Sequence, residues 1–324
     1  MVDERAKVLY SHLQRLTSQF TEVHGGKVMK VRFGFSCRGQ TDLALDDFPQ
    51  LVDDLERLGF DSIWLPESML SGAFDPLVGL TYAAARTERL KVGAYLAVPG
   101  RNPARLAREL ANLDRLSRGR LLLIMVLGQP AKPEVMAQDV DKAERGARLD
   151  EVIPLLRQLW RGDVVNHDGP RYQLREARIV PTPVQEPLEM WLGGQLPGAL
   201  RRVGRLGDGW IPGLITPAEA AAKRQIVETA AAEAGRTISP EHFGVNLTYS
   251  RGPLPMVAVE RLRRRRPDLD PADLIPQSRT ALHKRVDEWL AVGFSKFLLR
   301  PAAPPKDWTA ELETLAEDIL ERQT

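Results

Sequence analysis

A chain of 324 residues is long enough for two average domains or for one barrel-sized domain, so length alone leaves the domain count open. Its 45 basic and 43 acidic residues nearly cancel, which removes any broad electrostatic case for nucleic acid or an anionic membrane. One cysteine, Cys37, excludes an internal disulfide framework and a cysteine-rich metal site; no apolar run reaches the roughly 18 residues of a membrane span, no secretory signal core opens the chain, and a cytoplasmic, reducing compartment fits.

Residues 1–28 stand apart from the rest. Leu9, Leu13, Leu16 and Phe20 recur at helical spacing, predicting an accessory helix over 4–23 ended by Gly25 and Gly26, ahead of a single domain over 29–324. From Val31 the chain alternates. VRFGFS (31–36) reads as a strand, 48–58 as a helix closed by Gly59, DSIWLP (61–66) as a strand, and 75–86 as a helix with Asp75 before Pro76 at its start. KVGAYLAV (91–98), a helix over 103–116 and a strand over 119–128 continue the rhythm. Near-continuous apolar strands, each followed by an amphipathic helix, are the pattern of a parallel sheet covered on both faces.

The second half repeats it. An excursion over 129–144 leads into a helix over 145–160, and HDGP (167–170) marks a hairpin decoration. PLEMWLGGQLPGALRRVGRLGDGWIP (187–212) supplies a strand, a paired glycine turn, a helix opened by Pro197 and a second strand. A strand ending in glycine just before a helix presents unpaired backbone N–H groups and a positive dipole end, the grammar of an anion site. A helix over 216–234, strands over 242–250 and 294–301, and helices over 278–291 and 308–322 complete eight strands. The α/β pattern predicts a (β/α)8 TIM barrel with insertions; the competing doubly wound sheet lacks its G-x-G-x-x-G turn.

In a barrel the chemistry sits at the C-terminal strand ends. That filter keeps Ser36 and Cys37, Pro66, Glu67 and Ser68, the run 97–101 with Val98 and Arg101, Gly128 and Gln129, Gly193, Gly194, Gln195 and Leu196, Pro212 and Gly213, Tyr249 and Ser250, and Arg300. It places no histidine at the mouth, so His12, His24, His167, His242 and His283 read as structural or solvated, and no His/Asp/Glu cluster has metal-ligand spacing. Glu67 either meets a ligand or anchors the following loop by accepting backbone N–H bonds. Cys37 reads as a small apolar side chain. The arginine run 261–266 is a solvated helix face or, in its insertion, a contact for a polyanion.

Several segments in order resemble the bacterial luciferase-like flavin and deazaflavin oxidoreductases: LGFDSIWLPES (58–68), VPGRNPARLARELANLDRLSRGRLLL (98–123), ERGARLDEVIPLLRQLWRG (144–162), WLGGQLPGALRRVGRLGDGW (191–210) and GFSKFLLRP (293–301). The resemblance implies a (β/α)8 barrel, a dimer, and FMN or coenzyme F-420 at the strand ends; the Ala/Arg-rich composition is similar to that of the actinobacterial F-420 branch. It assigns Gly193, Gly194, Gln195 and Leu196 to the cofactor phosphate, Ser36, Val98, Gly128 and Gln129 to the ring region, and Glu67 with Ser68 to the reacting centre. There are departures. Leu196 replaces a small hydroxyl residue, Ser68 replaces a histidine used in alcohol oxidation, which disfavours sugar-phosphate dehydrogenation, and Ile124 and Val126 occupy a face where the family alternates glycines. The expected activity is F-420-dependent hydride transfer with a small hydrophobic molecule; the alternatives are an FMN-dependent monooxygenase and a redox-inactive binding barrel.

Overall fold

The structure is a computed structural model that describes residues 29–37, 46–129 and 131–324; the helix expected over 4–23 lies outside the described residues. Eight parallel strands form one sheet: β1 (Arg32–Ser36), β2 (Ser62–Pro66), β3 (Lys91–Ala97), β4 (Leu121–Val126), β7 (Met190–Gly193), β8 (Gly209–Ile211), β9 (Gly244–Tyr249) and β10 (Lys296–Pro301), the intervening β5 (Val165–Asp168) and β6 (Gln173–Ala177) being an antiparallel hairpin outside it. The order β8-β7-β4-β3-β2-β1-β10-β9 brings β8 and β9 together, where a parallel bridge between Trp210 and Phe243 closes the barrel. The TIM barrel with its hairpin decoration is therefore as the periodicity predicts.

Local chemistry sets the helices between strands. α1 (Asp47–Leu58) stops at Gly59, whose φ of 86° is a left-handed cap. α2 (Pro76–Arg86) starts where the Asp75 carboxylate accepts from the Leu77 and Val78 N–H groups. α3 (Pro103–Leu116) is capped by Asn102. The 129–144 excursion carries a short helix not expected from sequence, α4 (Lys132–Ala137), before α5 (Arg145–Trp160). α6 (Pro197–Leu206) follows β7, and α7 (Pro217–Glu233) opens with a Thr216/Glu219 capping box. α8 (Met256–Arg265) and α9 (Pro271–Leu274) fill the insertion before α10 (Arg279–Ala291), and α11 (Trp308–Ile319) ends in a short 3-10 turn. The arginine run lies on α8: Arg261, Arg263, Arg264 and Arg265 are exposed, while Arg266 just beyond pairs with Glu219 and Asp268.

Two cores result. The larger lies between the sheet and the helices. The smaller fills the barrel axis with Trp64, Tyr95, Ile124, Trp191, Ile211 and Leu298, flanked by Leu122 and Val126. Glycines make room for the indoles: a Cβ on Gly93 would lie 2.2 Å from the Trp64 ring, and one on Gly209 2.4 Å from that of Trp191. Removing either indole would cost about 3–5 kcal/mol, the usual range for large-to-small changes in a core. At the base, Asp61 meets Lys91 (2.8 Å), Lys296 (3.3 Å) and Arg32 (3.5 Å), sealing that end with buried charge.

Candidate active site

Alternation along the strands sorts inward from outward residues, and the axial core fixes the phase. One step above the aromatic layer, the inward positions are Ser36, Pro66, Ala97, Val126, Gly193, Thr248 and Arg300. They form the floor of the mouth. Ile124 is fully buried within the plug below, whereas Val126 is partly exposed and packs against Gly193, where a Cβ would lie 3.1 Å from its Cγ1. A ring system that enters this mouth therefore rests on the Val126 layer and cannot sink to Ile124.

Beside that floor, β7 runs into α6. Gly194 has φ 111°, and a Cβ there would meet Ala199 at 2.7 Å, so the turn into the helix is a cradle that a side chain would close. Leu196 is the N-cap residue, makes no side-chain cap bond and is 76% exposed. The N–H groups of Gly198 and Ala199 belong to the first turn, which has no intrahelical acceptor, and open space lies beside Gly198. Gln195 donates from Nε2 to the Gly213 carbonyl, and Trp210 donates from Nε1 to the Gly194 carbonyl at 2.9 Å. Both bonds tie the cradle to the end of β8. A phosphate fits this donor set; the four positions expected to hold it are contiguous, with Gln195 serving the loop itself.

The other expected site residues divide. Ser36 is buried on the inward face. Val98 turns the other way, into the core between sheet and helices. Gly128, at φ 87°, lies beneath Gln138, whose Nε2 would be 1.8 Å from a Cβ there. Gln129 and Leu127 offer their carbonyls to buried Arg145 at 3.1 and 3.0 Å. Glu67 accepts from the Ala97 N–H (2.7 Å) and from Arg101 (2.5 Å), which is the loop-anchoring arrangement. Burial raises its pKa beyond what Arg101 and the Ala97 N–H pull back. Ser68 donates to Glu134 at 2.6 Å. Cys37 is buried and its thiol is pushed up to about 12 by that burial, in line with an inert apolar role.

Of the two residues kept at the end of β9, Tyr249 is one residue out of phase, while Ser250 lies just past the strand with its N–H on the Pro276 carbonyl at 2.9 Å. Tyr249 points outward and donates to Glu311 at 2.7 Å, whereas Thr248 faces in and accepts from Arg300 Nε at 2.8 Å. Below them Tyr95 donates to Asn246 across the axis at 2.5 Å. Counting in twos from the buried strand centre would have found Thr248 and Asn246. His167 contacts Glu151 at 2.9 Å on the hairpin, and His242 lies near the base, its Nδ1 on the Asp208 carbonyl. Among the described residues no group of three or more His, Cys, Asp and Glu is arranged to hold a metal ion, and no helix is long and apolar enough to cross a membrane.

A family model described as luciferase-like monooxygenase matches residues 28–321. The chain belongs to that family. Among curated relatives, the F-420-dependent glucose-6-phosphate dehydrogenase of Amycolatopsis mediterranei is 32% identical over 166 residues, 48% of this chain and 50% of that one. The chain thus spans about half the length of the first relatives it matches. The enzyme of the same name from Beutenbergia cavernae is 28% identical over 305 residues, 82% of this chain and 90% of that one. An F-420-dependent secondary alcohol dehydrogenase, solved with an F-420–acetone adduct, superposes with a TM-score of 0.75 at 19% identity, covering 91% of this chain and 100% of the other. At that identity the likeness concerns the fold, and it places this luciferase-like chain among barrels of the same architecture.

Proposed function

We propose that the chain is an F-420-dependent oxidoreductase that transfers a hydride to or from a small hydrophobic organic molecule at the barrel mouth. The observation that carries the reading is the junction of an anion cradle, Gly193–Gly194 and the start of α6, with the apolar part of the floor, Pro66, Ala97 and Val126, opposite its polar part, Ser36, Thr248 and Arg300. When bound, the deazaflavin supplies the hydride chemistry. The N–H groups of the first turn of α6 would hold its phosphate, Val126 would form part of the surface under its ring, and the Trp64–Trp191 plug would keep water from below. Ser68 has its proton engaged with Glu134 and Glu67 is tied to Arg101, so neither is set to abstract a proton from an alcohol; reduction of the organic partner, with the proton drawn from solvent, suits these residues better. Sugar-phosphate oxidation, the activity in the relatives' names, is disfavoured on the same ground.

The second reading is an FMN-dependent monooxygenase, favoured by the family description itself. We read the working form as a cytoplasmic homodimer without nucleic-acid or membrane partners. Titration of the purified protein with F-420 and with FMN, followed by their absorbance and fluorescence, tests the choice. Micromolar F-420 binding with weaker FMN binding supports the first reading, and the reverse, with oxygen consumption on reduction, supports the second. Binding of neither at micromolar concentration removes both and leaves a redox-inactive barrel.

A further inference from the structure

β8 passes into α7 through Gly213, Leu214 and Ile215, and the middle residue is strained. Leu214 has φ 32°, a conformation that a bulky side chain keeps only where its surroundings impose it. Two contacts do so here. The side chain packs against Leu262, Leu274 and Ile275, the small core of the insertion between β9 and α10. The carbonyl accepts from Arg266 Nη1 at 2.8 Å. Arg266 makes four further bonds, from Nη1 and Nη2 to Glu219 (3.2 and 2.7 Å) and from Nε and Nη2 to Asp268 (2.9 and 2.7 Å). These contacts use the whole planar fork of the guanidinium, and the two carboxylates neutralise its charge. Burial opposes the charge on Glu219, and the Thr216 N–H, Arg266 and the Thr216 hydroxyl outweigh it, so the carboxylate stays ionised. Glu219 also holds the Thr216 N–H at 2.8 Å, so Arg266 fixes the loop at Leu214 directly and at Thr216 through Glu219.

The cradle leans on that loop. The Gly213 carbonyl accepts from Gln195 Nε2, and Gln195 lies between Gly194 and the N-cap residue of α6. Gly213 has no packing of its own: beyond its chain neighbours, no heavy atom lies within 4 Å of where its Cβ would be. Its carbonyl is therefore aimed by the residue that follows, and that residue is held by Arg266.

We propose that Arg266 is a positioning residue for the anion cradle: by holding Leu214 in the left-handed region it presents the Gly213 carbonyl to Gln195, so that a residue of the insertion sets the shape of the phosphate site. This deepens the oxidoreductase reading and rests on it for the occupant of the cradle. Arg266 contributes geometry and not attraction, since Glu219 and Asp268 already balance its charge.

The test measures the F-420 dissociation constant by fluorescence titration for wild type, Arg266→Met, Arg266→Lys, Leu214→Gly and the double variant Leu214→Gly/Arg266→Met. It also records the side-chain amide resonances of Gln195 in the ligand-free proteins. Arg266→Met should weaken F-420 binding about tenfold, the worth of one hydrogen bond at the cradle, while the amides of β3 and β4 keep their protection against exchange. Arg266→Lys keeps the charge but cannot span Leu214, Glu219 and Asp268 at once, so it should lose most of the same affinity. Glycine accepts a positive φ without strain, so in the Leu214→Gly background Arg266→Met should cost less than about threefold. In ligand-free wild type one Gln195 amide proton should resonate downfield through its bond to Gly213, and Arg266→Met should return it to the position of a free amide. Unchanged affinity in Arg266→Met, full affinity in Arg266→Lys, an undiminished loss in the glycine background, or an unmoved Gln195 resonance would each overturn the proposal. Should Arg266→Met not fold, the affinity and the Gln195 resonance of Arg266→Lys decide the same question. Failure of both F-420 and FMN to bind wild type would overturn the cofactor reading alone, because the Gln195 resonance is read without ligand.

Discussion

Asp61 and Glu67 flank β2, and their surroundings push two buried carboxylates in opposite directions. Burial opposes ionisation of Asp61, but Lys296 and Lys91 outweigh it and hold its pKa at about 2. Lys296 itself is lowered, because its own burial costs more than a carboxylate shared with Lys91 returns. For Asp61 the folded pKa lies below the unfolded one, so its stabilisation is complete at neutral pH. It is lost as pH falls from about 4 to about 2, a contribution of about 2 kcal/mol. Glu67 is raised, so the folded protein binds that proton more tightly; its contribution is complete below the unfolded pKa and lost as pH rises through the folded value. Asp61→Asn should therefore cost about 3 kcal/mol at pH 7, by leaving Lys296 buried without its counter-charge, and should flatten the acid limb of stability. Glu67→Gln keeps an acceptor for the Ala97 N–H and should cost less than about 1.5 kcal/mol. Urea unfolding between pH 3 and pH 8 checks both, and equal costs for the two variants would refute the contrast.

At the scale of elements, α6 joins the fold to the site. It starts without a side-chain cap because Leu196 occupies the N-cap position, so its first N–H groups are left to water or to an anion. Leu196→Ser should supply the missing acceptor and raise stability by about 0.5–1 kcal/mol. The hydroxyl also adds a donor beside the cradle, so the F-420 dissociation constant should fall several-fold. A variant that gains thermal stability yet binds F-420 more weakly would show that the new cap competes with the phosphate for the same N–H groups. This element was legible beforehand because glycine, proline and the apolar runs around them leave few alternatives. The inner face of β4 was also legible by alternation: Ile124 and Val126 do share the inward side, and the structure adds that Ile124 belongs to the plug and Val126 to the floor. What could not be read was side-chain partnership over long separations. Nothing near Glu134 in sequence announces that it binds Ser68, Met69 and Leu70, and the Glu67–Arg101 and Tyr95–Asn246 pairs likewise depend on the barrel being closed. The one-residue error at β9, Tyr249 for Thr248, came from reading the strand's end without its phase.

For the whole molecule the point of interest is where the barrel closes. β3 and β4 share six registered pairs, whereas β8 meets β9 through one bridge at Trp210 and Phe243, supported by the Trp210 N–H on the His242 carbonyl at 2.9 Å. Trp210 is fully buried, so the seam is held by packing as much as by pairing. Its indole N–H donates to the Gly194 carbonyl, and Gln195 bonds the Gly213 carbonyl, so the seam strand and the phosphate cradle are one connected piece. A ligand that orders the cradle should therefore also tighten the seam, by binding the closed form in preference to the open one. Saturating F-420 should slow hydrogen exchange at the Trp210 amide more than at the amides of β3 and β4. Trp210→Phe keeps most of the apolar volume and removes the indole donor, leaving the Gly194 carbonyl without it. The expected cost is about 1–3 kcal/mol in stability, with F-420 affinity reduced roughly tenfold and the ligand's extra protection at the seam lost. Equal protection of seam and central strands in wild type would separate closure from binding; affinity preserved in a destabilised Trp210→Phe would show that the cradle holds its shape without the seam.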